Sequence, residues 1–197
     1  MNFRDKLVAM IKMTAVHRIA FAAIWAIAVV TLTPSIAAQQ GSTAKAQPAG
    51  VLKPDDVANL MPPQVFFRGQ SATVQMRNSG GIRYPDGMFT LVALVDTSGY
   101  SSGIQQKYQA YLITEVPLQI GDGAGAHKLT PGAYGVGFIQ NDRFVVMDLG
   151  AHDLLNVGSH HDVELRRPTP LEVLDTTTPG IYRFYEGRSF VTLRRAD

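Results

Sequence analysis

The sequence predicts an all-β domain: an antiparallel sandwich or partly open barrel of about seven to nine strands, with at most one short helix near residues 54–60. Three observations predict it. From Gln64 onward the apolar residues recur with a period of two, as where Ala72, Val74 and Met76 alternate with Thr73, Gln75 and Arg77. The apolar runs have strand length, the clearest being MFTLVALV over 88–95, which reads as a central strand covered on both faces. Turn residues punctuate the runs at short intervals, at Asn78-Ser79-Gly80-Gly81, Pro85-Asp86-Gly87, Thr130-Pro131-Gly132, Asn141-Asp142, Thr178-Pro179-Gly180 and Glu186-Gly187.

The first 38 residues stand apart from this pattern and read as a secretory signal peptide. Arg4, Lys6, Lys12 and Arg18 face a single acid, Asp5, and precede the apolar run IAFAAIWAIAVVTL over 19–32. Pro34 and the small-residue stretch Ser35-Ile36-Ala37-Ala38 follow, so cleavage after Ala37 or Ala38 fits the three-part signal pattern. The apolar core is short of the roughly 20 residues that span a membrane, although a retained N-terminal anchor is the alternative. The expected location is therefore periplasmic or extracellular, with no membrane association after cleavage. Residues 39–53, QQGSTAKAQPAGVLK, read as a flexible linker, and 54–197 as one β domain.

Composition bounds the function. The chain has 18 basic and 16 acidic residues, of which the signal segment holds four and one, leaving 14 against 15 and a net charge of −1. No basic stripe remains to bind nucleic acid. The lone tryptophan, Trp25, falls in the signal segment. There is no cysteine, which excludes disulfides, thiol catalysis and Cys-type metal sites. A domain of this length buries enough surface to be stable without disulfides.

In chain order, Pro54-Asp55-Asp56 opens the short helix, because Pro suits a first turn and acids suit the positive end of the helix dipole. Pro62-Pro63 ends it. After the 88–95 strand, a Ser/Gly-rich loop over 97–103 leads to a strand at 104–116, with Tyr108, Ala110 and Leu112 on one side and Tyr111 and Ile113 on the other. A Gly/Ala loop spans 121–128. The first Thr-Pro-Gly hairpin pairs 133–140 with 143–149. Residues 150–162 read as a polar connection, 163–166 and 171–174 as short strands, and 181–185 with 189–193 as the second hairpin. Phe138, Phe144, Phe184 and Phe190 are expected to supply much of the buried area. TPGAY leading to RFVV, and TPGIY leading to SFVT, are alike through internal duplication or through a recurrent hairpin solution.

Residues 129–136, Leu-Thr-Pro-Gly-Ala-Tyr-Gly-Val, resemble the L-x-P-G-x-Y-x-V hairpin of carboxypeptidase-regulatory-like, transthyretin-like β-sandwich domains. The resemblance implies an accessory or binding domain of the cell envelope and carries over no site residue.

Two function classes follow. The leading one is a non-catalytic exported module, without cofactor, that binds a protein, glycan or small molecule through loops and an aromatic strand face carrying Tyr108, Tyr111, Tyr182 and Tyr185. The rival is a metal-assisted hydrolase built on His152, Asp153, His160, His161 and Asp162, since imidazole and carboxylate suit zinc-like ions. Adjacent His160 and His161 project to opposite faces of a strand, which argues against a shared ion. His127, Glu115 and Glu164 are further titratable candidates, and Asn156 and Ser159 are polar neighbours that could orient a ligand. Gly121-Asp122-Gly123-Ala124-Gly125 lacks both the following helix and the Lys-Ser/Thr ending of a phosphate loop. No G-x-S-x-G nucleophile elbow is present.

Overall fold

A computed structural model of the chain describes residues 48–197. The signal-peptide reading and the linker as far as residue 47 lie outside the described residues. Among the described residues the strands form two sheets in which every pairing is antiparallel. The larger runs in the order β1 (Gly50–Leu52), β3 (Gln70–Arg83), β4 (Phe89–Val95), β5 (Ala110–Thr114), β8 (Gly132–Ile139), β9 (Arg143–Met147), β10 (Asp153–Gly158), with β2 (Gln64–Phe67) also on β3. The smaller runs β12 (Glu172–Asp175), β13 (Ile181–Glu186), β14 (Ser189–Arg195), β6 (Leu118–Ile120), β7 (His127–Leu129), with β11 (His160–His161) also on β14. The sandwich class stands, but the fourteen described strands exceed the expected number. Short pairings such as β1, β6, β7 and β11 lack the long alternation that makes a strand visible in sequence.

Strand alternation feeds two cores, one on each face of the larger sheet. Val92 of β4, Ala110 and Leu112 of β5, Tyr134 and Val136 of β8, and Phe144 and Val146 of β9 face the smaller sheet. There they meet Leu118 and Ile120 of β6, Val173 of β12, Phe184 of β13, and Val191 and Leu193 of β14. The intervening residues Leu91, Ala93, Val95, Tyr111, Val145 and Met147 face the other way, onto Leu52, Val57, Met61, Val65, Phe67, Tyr100 and Tyr108. This two-sided burial explains the near-continuous apolar runs of β4 and β9.

The second core is closed by local structure. Helix α1 (Pro54–Val57) buries Val57, and its first-turn acid Asp56 accepts from the Lys53 N–H at 3.1 Å. A second short helix, α2 (Ser102–Gln105), lies in the segment expected to start a strand. It brings Tyr108 onto Phe67, ring centroids 3.9 Å apart and stacked, with Tyr100 edge-on to both. The Tyr100 hydroxyl donates to the Phe67 and Gln70 carbonyls.

Other expectations are corrected. Asn78-Ser79-Gly80-Gly81 is not a turn but the interior of β3. Its glycines serve close approach: a Cβ on Gly81 would lie 2.6 Å from the Thr90 carbonyl oxygen, and one on Gly80 3.2 Å from Val173 Cγ2. Residues 50–52 are strand, not linker, because pairing with 81–83 lets Leu52 bury. Residues 153–158 pair with β9 rather than forming a connection. Residues 163–166 are not a strand, since Asp162 Oδ1 accepts from the backbone of Glu164 and Leu165 and turns the chain. Asn141 and Asp142 both take positive φ, 63° and 52°, within the three-residue loop 140–142 that follows the Ile139↔Arg143 pair, a conformation that Asn and Asp tolerate.

Candidate functional site

Alternation in β13 and β14 sends Tyr182, Phe184, Val191 and Leu193 toward the core. Arg183 and Tyr185 of β13, and Phe190, Thr192 and Arg194 of β14, therefore stand on the outer face. There they form a network centred on Phe190. The Arg183 guanidinium lies over the Phe190 ring at 4.5 Å, and the Tyr185 ring lies at 5.0 Å. His160, opposite Phe190 in the β11–β14 register, stacks on it at 5.1 Å.

Hydrogen bonds tie the rim together. His160 Nε2 bonds Asp122 Oδ2 at 2.7 Å, and the Thr192 hydroxyl donates to the other Asp122 oxygen. The Tyr185 hydroxyl donates to Asp162 Oδ2 at 2.9 Å and accepts from Arg183 Nη1 at 3.2 Å. Arg188 Nη1 donates to the Asp162 and Val163 carbonyls. Burial works to raise the Asp122 carboxyl, but bonds from Thr192 and His160 hold it below the usual range. The Tyr185 bond does the same for Asp162. Both acids are thus fixed as acceptors. Beside them is a depression of about 230 Å³ lined by Gln119, Asp122, Ile181, Thr192 and Arg194. Arg194 Nε donates to Gln119 Oε1 at 2.8 Å, so both polar walls are oriented.

The sequence-based candidates are scattered. Tyr108 and Tyr111 are buried in the second core and Tyr185 beneath Phe190, so the four tyrosines do not share an exposed face. Strand alternation extended through 104–109 sets Tyr108 beside Ala110 and Leu112, but α2 breaks that alternation and turns Tyr108 the other way. Tyr182 packs half-buried against the inter-sheet core. The proposed metal ligands separate too. His152 bonds Asp148 at 2.9 Å within a turn that Asp148 caps. Asp153 pairs with Lys107 at 2.6 Å, Asp162 serves Tyr185, His160 serves Asp122, and His161 is exposed. No group of three or more ligand-type side chains converges among the described residues. His127 lies on β7 opposite Ile120, and Glu115 accepts from the Phe89 N–H. Asn156 accepts from Arg143 rather than orienting a histidine.

The network does not have the order of a hydroxyl–imidazole–carboxylate triad. A hydroxyl nucleophile needs the imidazole between itself and the acid. Here the acid sits in the middle, with the Thr192 hydroxyl and the His160 ring each bound to Asp122.

One carboxyl elsewhere is held in an uncomfortable state. Glu186 follows Phe184 by two at the β13–β14 turn, and its Oε2 is buried without a hydrogen-bond partner among the described residues. Burial pushes its pKa up to about 7. Its folded pKa exceeds its unfolded one, so its contribution to stability is complete below about pH 4.5 and is lost as pH rises through about 7. Glu186→Gln should match the parent near pH 4 and exceed it by about 1–3 kcal/mol at pH 8. Urea unfolding at the two pH values checks this, and equal gains at both would refute it.

Comparison with known proteins gives no match: no family model fits the chain, and no curated protein or solved structure matches it.

Proposed function

We propose that the protein is an exported, non-catalytic binding module whose recognition surface is the outer face of the smaller sheet, and that its ligand is a glycan. The observation that carries this reading is the ordered polar network around Phe190. Side chains that hold one another in place, beside a depression with both donors and acceptors, lose little freedom on binding. Paired donors and acceptors match sugar hydroxyls, which give and take hydrogen bonds at the same atom. Export is supported by the pattern of residues 1–38. The hairpin resemblance at 129–136 points to the same class of accessory domain.

The test is binding to an array of immobilised oligosaccharides, repeated with Asp122→Ala and Arg194→Ala. Each variant is expected to lose about tenfold or more in affinity, since hydrogen bonds to charged groups contribute about 1.5–3 kcal/mol. Absence of any glycan ligand, or binding unchanged in both variants, would overturn the assignment.

A further inference from the structure

A second site stands where the edges of the two sheets meet, away from the polar face. Strand β3 pairs with β4 at Val74↔Val95 and resumes at Ser79↔Ala93, so the intervening residues of β3 bulge out of the ladder. Bulges of this kind re-aim side chains and concentrate near functional sites. This one is pinned rather than loose. Gln75 Nε2 donates to the Val95 carbonyl, Asn78 Nδ2 to Gln75 Oε1, and the Ser79 hydroxyl to the Met76 carbonyl. It places Arg77 and Asn78 on the rim of a groove of about 370 Å³ between β1, β3 and β12.

The groove is apolar inside. Val51, Leu52, Pro54, Pro170, Leu171 and Val173 line it. Gly80 lets Val173 come close enough to form the floor, since a Cβ there would already touch its side chain and backbone. Lys53 and Arg77 also line the groove, with Glu172 the single acid among the lining residues. Lys53 and Arg77 make no ion pair among the described residues, whereas Lys107, Arg183 and Arg195 each have a carboxylate partner. The volume lies at the small end of ligand sites.

We propose that this groove binds a medium-chain aliphatic carboxylate, its tail against the Val51–Leu171–Val173 floor and its carboxylate between Lys53 and Arg77. Two unpaired cations against one acid give the rim a net attraction for an anionic head, and the apolar lining rewards burial of a short chain. The site is independent of the glycan reading.

The experiment is calorimetric titration of the full chain with sodium octanoate and, separately, with 1-octanol. The parent is expected to bind octanoate at one site and octanol more weakly. Lys53→Glu with Arg77→Glu should weaken octanoate by about tenfold or more and leave octanol unchanged. Both positions are exposed, and the Gln pair at the same positions serves if charge reversal alters melting. No octanoate binding, equal binding of octanoate and octanol by the parent, or octanoate affinity unchanged in the variants would each overturn the proposal.

Discussion

Phe184→Ala is expected to remove about 3–5 kcal/mol of stability, a large share of the 5–15 kcal/mol typical of a domain. Phe184 is fully buried, and its ring meets Phe138 at 5.6 Å and Phe144 at 5.7 Å, across the space between the sheets. Phe138 and Phe144 are themselves 4.9 Å apart. This trio joins the two Thr-Pro-Gly hairpins, one in each sheet, so the cavity left by truncation cannot be refilled by either hairpin alone. Phe144→Ala should cost a similar amount. Phe190→Ala should cost only about 1 kcal/mol, because that ring is half-buried on the outer face. Urea unfolding of the three variants checks the order. A Phe190 variant as unstable as the Phe184 variant would contradict the assignment of faces.

Gly137→Ala is expected to be nearly as damaging, at about 3 kcal/mol, for the opposite reason. A Cβ at Gly137 would fall on the Lys107 carbonyl oxygen and lie 2.6 Å from Gln109 Oε1. The closeness has a purpose. Gln109 Oε1 accepts from the Phe138 N–H at 2.7 Å and Gln109 Nε2 donates to the Phe138 carbonyl at 3.0 Å, so a side-chain amide continues the ladder past the start of β5. Because the obstacle is main chain, overpacking cannot be relieved by a rotamer change. Gly135→Ala first meets the Phe67 and Tyr108 rings, with Phe67 Cζ at 2.8 Å, and should cost about 1–3 kcal/mol as those rings shift. Thermal melts of both variants test this, and a Gly137 variant that melts with the parent would show that the segment carrying Gln109 yields freely.

Much of the fold was legible. The run at 88–95 is β4, buried on both faces, and Pro85-Asp86-Gly87 turns, with the Gly87 N–H bonded to the Tyr84 carbonyl at 2.9 Å. Asn141-Asp142 makes its hairpin and the Thr-Pro-Gly segments precede theirs. The site was legible only in part. Alternation in IYRFYE and SFVTLRR already puts Arg183 and Tyr185 on one face and Phe190, Thr192 and Arg194 on another that could match it. Nothing local shows that these two faces coincide with His160 and Asp122.

The amino-acid sequence by itself determined the class of structure and the inward or outward sense of residues within each long strand. Those are properties of neighbours along the chain: period, turn chemistry and β-branching act over a few residues. Tertiary structure alone decided that Asn78–Gly81 runs through a strand, that β6 and β7 leave the larger sheet between β5 and β8, and that Asp122 meets His160 and Thr192 across 38 and 70 residues. Contacts at that separation depend on which edges pair and in what register, and register is settled by the burial of whole faces at once.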